Sequence, residues 1–331
     1  MPESPDAVEP WRPDVLGEPY AVRTFALPDD SEGPVIAALV RHAPESAAPQ
    51  HGAVLHVHGF ADYFFHTEMA EWWTQRGYAF YALDLRKYGR ALLEHQTAHF
   101  VTSLEEHFPE LDEAWRILTE EEGHDRVVVS AHSTGGLTVP LWAAKRDLGA
   151  LTALVLNSPW FDLRGAPILR SLPARAALDQ IGARQPYRVI PRPVSGFYAR
   201  SLHRDLDGEW DFDFNWKPLE SRPVYAGWLR AVRRGHTTLH RGLDLGVPTL
   251  VLSSARTGSP ATFGEEVFRT DIVLDVTQIR RWASSVGRHV TSIAVDDAMH
   301  DIFLSRRPTR LRAYAELDRW LSAWVESRAV V

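Results

Sequence analysis

The stretch Arg126-Val127-Val128-Val129-Ser130-Ala131-His132-Ser133-Thr134-Gly135-Gly136 decides how this chain reads. Three β-branched valines followed by small residues predict a short buried strand. The strand breaks at Ser133, and Leu137 to Ala144 then reads as the start of a helix. A serine on so sharp a strand-to-helix turn has its hydroxyl thrust outward, and the turn is sterically possible only between small neighbours. The usual spacing is Gly-x-Ser-x-Gly; here Ala131 takes the place of the first glycine and Gly135 keeps the second. The next N–H, on Thr134, lies at a helix N-terminus, where negative charge is stabilised. Serine also caps helices, so N-capping is the competing role for Ser133.

Working outward, Ala53 to His58, Tyr78 to Leu83 and Leu151 to Asn157 are further buried strands. Helical stretches separate them at Glu68 to Arg76, Leu104 to Glu122 and 135–147, the last with a kink expected at Pro140. Ahead of them, Tyr20 to Leu27 and Pro34 to Arg41 have strand character around a turn-rich segment. The alternation stops at Pro159 and resumes after about Leu245 with Val247 to Ser253, Val276 to Val286, His289 to Val295 and Pro308 to Glu326. The expected fold class is therefore α/β: a mostly parallel central sheet, helices on both faces and an inserted cap. Its parts are an N-terminal arm (1–18), core (19–158), cap insertion (159–245) and the rest of the core (246–331). Within the insertion, Glu209-Trp210-Asp211-Phe212-Asp213-Phe214-Asn215-Trp216 alternates with period two. It reads either as an amphipathic extended segment packed on the core or as an aromatic wall over a ligand site.

Composition removes several classes of function. Of 331 residues, 36 are Lys or Arg and 43 Asp or Glu, a net charge of −7, so no basic face for nucleic acid is implied. The absence of cysteine excludes disulfides, thiolate catalysis and cysteine-ligated metals. Met1 to Glu18 lacks the apolar core of a signal peptide, and no apolar run approaches the roughly 20 residues of a membrane span. A soluble cytoplasmic protein is expected, with its oligomeric state left open. His56 and His58 share a face of one strand, but no third ligand accompanies them, so no metal is expected. Gly135-Gly136 lacks the spacing of a nucleotide loop, and no cofactor is implied.

Polar motifs directly follow the strands: Gly59-Phe60-Ala61-Asp62-Tyr63, Asp84 to Gly89, Ser133, and Asp296 to Asp301. In an open parallel sheet these gather on one rim. A serine hydroxyl is a poor nucleophile until a base takes its proton, and a histidine base must be held in one tautomer by a carboxylate. His58-Gly59-Phe60 after a strand, Asp84 to Gly89 after the next, the turn at Ser133, an insertion after Asn157 and a histidine after the last strand together resemble the α/β-hydrolase superfamily. Within it the chain is similar to capped serine hydrolases of the monoacylglycerol lipase and lysophospholipase type, over roughly residues 50–325.

That resemblance implies Ser133 as nucleophile, His300 as general base, and the N–H groups of Phe60 and Thr134 as an oxyanion hole. His132 points away in such a turn, and His236 and His240 lie in the cap. For the acid, the family often reads Asp-x-x-x-Asp before the next helix with the first aspartate catalytic. This favours Asp271, with Asp275 the alternative and otherwise a helix N-cap. Ala131, Pro140 and the loop Gly258 to Arg269 depart from the family pattern. Trp160, Phe161, Phe197, Tyr198, Trp210 and Trp216 would line an apolar acyl pocket. The implied activity is hydrolysis of a small-molecule carboxylic ester, of monoacylglycerol or lysophospholipid type, through an acyl-enzyme. A peptidase or amidase with the same triad, or a non-catalytic binding protein on this fold, are the alternatives.

Overall fold

Strand after strand, the central residues alternate between two cores. Ala53, Leu55 and Val57 pack on one side of the sheet and Val54 on the other. Val127, Val129 and Ala131 oppose Val128 in the same way, and Leu154 and Leu156 oppose Ala153 and Val155. A parallel sheet covered on both faces needs near-continuous apolar strands, which is why the valine-rich runs read so clearly. The computed structural model describes residues 10–44, 49–192 and 194–327. Residues 1–9 of the expected N-terminal arm lie outside them.

The sheet opens with an antiparallel lead-in of β1 (Arg12–Pro13), β2 (Tyr20–Asp30) and β3 (Gly33–His42). The remaining strands run parallel: β4 (Ala53–Val57), β5 (Ala79–Asp84), β6 (Val127–His132), β7 (Leu151–Asn157), β8 (Thr249–Ser254) and β9 (Val290–Val295). Their order is β1-β2-β3-β5-β4-β6-β7-β8-β9. Residues 10–18 are tied to this sheet, because Arg12 and Pro13 pair with Val22 and Ala21 and Asp14 holds the Arg90 guanidinium at 2.6 Å.

Crossovers between parallel strands are made by α1 (Thr67–Gln75), α2 (Phe108–Arg116) and α3 (Gly135–Ala143). Met69 and Trp73 of α1 join one core, while Leu111 of α2 and Leu137 of α3 join the other, so helices cover both faces. Helix α3 ends at Ala143, short of the expected residue 147; the chain tightens as Lys145 N–H donates to the Trp142 carbonyl.

The segment between β7 and β8 contains α4 (Leu172–Arg184), α5 (Phe197–Leu202) and α6 (Ala226–Leu239). Helix α6 is amphipathic, and its Trp228, Ala231, Val232 and Leu239 belong to the core that β4, β6 and β7 share. The run 209–216 is extended only at its start. Trp210 and Phe212 are buried, whereas Phe214 is 40% exposed. The period-two pattern fails at Asp213, whose carboxylate accepts the Asn215 N–H at 2.7 Å and whose carbonyl accepts those of Trp216 and Lys217, turning the chain. After β8 come α7 (Val276–Trp282) and, after β9, α8 (Arg307–Leu321). No helix among the described residues is long and apolar enough to cross a membrane.

Candidate active site

Ser133 follows β6 with φ +50°, a left-handed conformation costly for a side chain with a Cβ. The turn is fixed from both sides: Ser133 N–H donates to the Asn157 carbonyl at 3.0 Å, and the Ser133 carbonyl accepts Trp160 N–H at 2.9 Å. Small neighbours are obligatory here. A Cβ on Gly135 would collide with the His58 carbonyl oxygen, and one on Gly59 would lie 2.9 Å from Ser133 Cβ. Ala131 is different: it sits in the strand, with no exposed surface, and its methyl packs in the core.

Three buried side chains form one hydrogen-bonded series. His300 Nε2 is 3.0 Å from Ser133 Oγ, and His300 Nδ1 is 2.9 Å from Asp271 Oδ2. An ionised carboxylate only accepts, so Nδ1 carries the proton and Nε2 is left to accept from the serine hydroxyl. Asp271 is itself held, its Oδ1 accepting the N–H groups of Val273 at 2.8 Å and Leu274 at 2.7 Å. Asp275 instead caps α7, its Oδ1 accepting Thr277 N–H at 3.0 Å.

The excursion after β8 returns Asp271 to the strand end, where it bridges Thr257. Asp271 N–H donates to Arg256 O, and Gly258 N–H donates back to Asp271 O.

Phe60 and Thr134 flank the serine on neighbouring loops, and neither N–H has a hydrogen-bond acceptor among the described residues. An N–H left without an acceptor is uncommon in a protein interior. The loop bearing Phe60 is steadied by His58, whose Nδ1 donates to Gly59 O at 2.8 Å and whose Nε2 accepts Leu85 N–H at 3.0 Å. His56, in β4, lies near Ser130 Oγ at 3.3 Å, whereas His58 falls just past the strand end, so the two histidines are engaged separately.

His132 has no hydrogen bond to the serine among the described residues; it donates from Nδ1 to Asn157 O at 3.1 Å, its ring 4.8 Å from that of His300. Burial away from water lowers its pKa to about 4. His236 and His240 contact the carbonyls of Trp160 and Phe161 at 2.8 and 2.7 Å, anchoring the chain just beyond β7.

Only some of the expected pocket aromatics adjoin these groups. The Trp160 ring lies tilted against that of Trp228 at 5.6 Å, and Trp228 lies 4.2 Å from Phe60, giving a run of rings beside the serine. Tyr198 stands edge-on to His300 at 5.6 Å, its hydroxyl accepting Asp301 N–H. The others pack elsewhere. Phe161 is fully buried in the main core, and Phe197 meets Phe263 at 5.7 Å. Trp210 donates its indole N–H to Leu304 O at 2.9 Å. Trp216 meets Tyr63 at 5.0 Å and lines a cleft with Arg222 and Tyr225 that touches neither Ser133 nor His300.

Sequence reasoning missed a buried polar cluster beside the site. Asp62, His132 and Asp301 bring donor atoms within 4.8 Å of one another, the kind of spacing a cation can exploit. Lys217 already supplies a cation there, its ammonium 2.8 Å from Asp62 Oδ1.

A mostly parallel sheet with this serine turn after one strand, a histidine after another and an insertion between them defines an α/β-hydrolase. The profile of the family described as serine aminopeptidase, S33, matches residues 48–304. The chain belongs to that family of hydrolases. No curated protein sequence is significantly similar to it. Among solved structures, the chain resembles a soluble variant of monoglyceride lipase from Saccharomyces cerevisiae in complex with a substrate analog, at 12% identity and TM-score 0.62 over 97% of both chains. It also resembles a monoacylglycerol lipase from Paleococcus ferrophilus, at 19% identity and TM-score 0.60 over 83% of this chain and 96% of that one. A thermostable carboxyl esterase from Bacillus coagulans in complex with glycerol matches at 14% identity and TM-score 0.63, over 92% and 99% of the two chains.

Proposed function

We propose that the protein is a serine hydrolase of carboxylic esters that works through an acyl-enzyme. The observation that carries this reading is the series Ser133 Oγ, His300 Nε2, His300 Nδ1 and Asp271 Oδ2, closed by contacts of 3.0 and 2.9 Å. Ser133 Oγ attacks the ester carbonyl carbon as its proton passes to His300 Nε2, and the N–H groups of Phe60 and Thr134 bind the resulting oxyanion. Collapse expels the alcohol, which takes the proton from His300 and leaves acyl-Ser133. A water molecule, deprotonated by His300, then attacks the acyl carbon and releases the acid.

Lipid-like acyl esters, of the monoacylglycerol or lysophospholipid kind, are the substrates we assign. The half-buried rings of Phe60 and Trp160 beside the serine support this, offering apolar surface to an acyl chain, with the buried Trp228 ring packed behind them. The test is a series of p-nitrophenyl acyl esters alongside a monoacylglycerol and a lysophosphatidylcholine, with matched anilides for amide cleavage. Ester turnover is expected to rise with acyl length and to vanish in Ser133→Ala, and a fluorophosphonate is expected to label the wild-type protein stoichiometrically. Unlabelled protein, or a fully active Ser133→Ala, overturns the assignment.

A further inference from the structure

The turn 213–217 in the insertion grips the loop after β4 at three points. Asp213 N–H donates to the Tyr63 hydroxyl at 2.8 Å, the Trp216 ring meets Tyr63 edge-on, and Lys217 Nζ donates to Asp62 Oδ1 at 2.8 Å. Asp62 and Lys217 are 155 positions apart in sequence, yet they are only 3% and 5% exposed. Lys217 is the one ion-pair partner of Asp62 among the described residues. Burial alone would raise the Asp62 carboxyl, but the ammonium beside it holds it ionised, well below the usual carboxylate range.

Such a pair is a poor investment in stability alone, because two apolar residues of similar volume would serve as well or better. Its position suggests another use. Asp62 lies two residues beyond Phe60, and the residue between them, Ala61, is held at φ +51°. A residue with a Cβ keeps that conformation only where its surroundings over-determine it. Asp62 and Tyr63 are the next two residues, and the side chain of each hydrogen-bonds to the insertion.

We propose that Lys217 is a positioning residue for the oxyanion-binding loop. By fixing the Asp62 carboxylate it holds the Gly59–Asp62 turn so that the Phe60 N–H faces the oxygen developing on an acyl group bonded to Ser133. The inference rests on the reading of Ser133 as nucleophile. It makes the insertion part of the catalytic geometry, since a group carried by the insertion sets where a donor on the core points.

The experiment uses the full chain and four variants: Lys217→Met, Lys217→Arg, Asp62→Asn and the double Asp62→Asn/Lys217→Met. The double variant removes both charges of the pair, so it remains informative if Lys217→Met does not fold. Each is measured for kcat and KM on p-nitrophenyl butyrate and for Ki with an alkyl trifluoromethyl ketone, which forms a tetrahedral adduct with the serine.

Losing an oxyanion donor outright costs about 10²- to 10³-fold in kcat, so a donor merely displaced is expected to cost about 10- to 100-fold. The double variant should show this loss with KM within about threefold, and its ketone affinity should fall in parallel with kcat/KM. It should be no worse than the poorer single variant, and Lys217→Arg should recover most of the rate. A double variant with wild-type kcat, or one whose defect lies in KM while the ketone binds as before, overturns the proposal. Retained turnover in Ser133→Ala would instead remove the nucleophile on which it rests.

Discussion

Asn157 and Asp301 join the two loops on which the candidate site depends. The Asn157 side-chain N–H donates to Asp301 Oδ1 at 2.7 Å, and its Oδ1 accepts Ile302 N–H at 3.2 Å. Its carbonyl meanwhile receives the N–H of Ser133. One residue at the end of β7 thus fixes the serine turn through its main chain and the histidine loop through its side chain. Asn157→Ala removes the second link and strips a buried carboxylate of a donor, which should cost about 1–3 kcal/mol of stability. We expect a lowered Tm by scanning calorimetry and a reduced kcat on p-nitrophenyl butyrate. A variant indistinguishable from wild type in both would show that the link is idle.

The two aspartates before α7 should separate cleanly. Asp271→Asn keeps the shape but lets His300 adopt the wrong tautomer, and a drop of about 10⁴-fold in kcat is expected. Asp275→Ala should cost about 1 kcal/mol through the lost N-cap while leaving kcat near wild type. Steady-state kinetics and urea denaturation of both proteins measure the contrast; equal kcat values would overturn the assignment, and a loss confined to Asp275→Ala would reverse it.

Mild acid should weaken the fold. Burial lowers His56 to about 3, His132 to about 4 and His236 to about 3, from an ordinary value of 6.5. Folded-state values below the unfolded one mean that the unfolded chain binds more protons between them. Stability is therefore fully present above pH 6.5 and falls as the pH drops below it. By about pH 5 each histidine contributes a loss of up to about 2 kcal/mol. Differential scanning fluorimetry from about pH 8 to about pH 5 should show Tm flat above neutrality and declining below, with a shallower decline in His56→Gln. A flat profile across that range would contradict this.

The glycine spacing around Ser133 makes an asymmetric forecast. Ala131→Gly restores the usual motif yet removes a buried methyl from a strand, so kcat should hold while stability drops by about 1 kcal/mol. Gly135→Ala drives a Cβ into the His58 carbonyl, an overlap the backbone must shift to relieve. That should cost about 1–3 kcal/mol and most of the activity. Thermal melts and ester turnover of the pair decide it.

Much of the sheet could be read in advance because burial on both faces leaves unbroken apolar strands, and those are a one-dimensional signal. The choice between Asp271 and Asp275 could not be made by counting. It depends on a loop that leaves β8 and comes back to bridge Thr257, which spacing does not reveal. The aromatic run from Trp210 misled for a local reason, since Asp213 turns the chain before the alternation is complete. Asp62 and Lys217 were invisible as a pair, because each looks like an ordinary surface charge until the fold brings them together in the interior.

Helix α6 sits in the same apolar layer as β4, β6 and β7. The insertion therefore cannot be excised to yield a smaller working protein. A chain spliced from Asn157 to Val247 would lose Trp228, Val232 and Leu239 and leave the layer beneath them bare to water. A trimmed form of this hydrolase is expected to aggregate rather than to turn over ester.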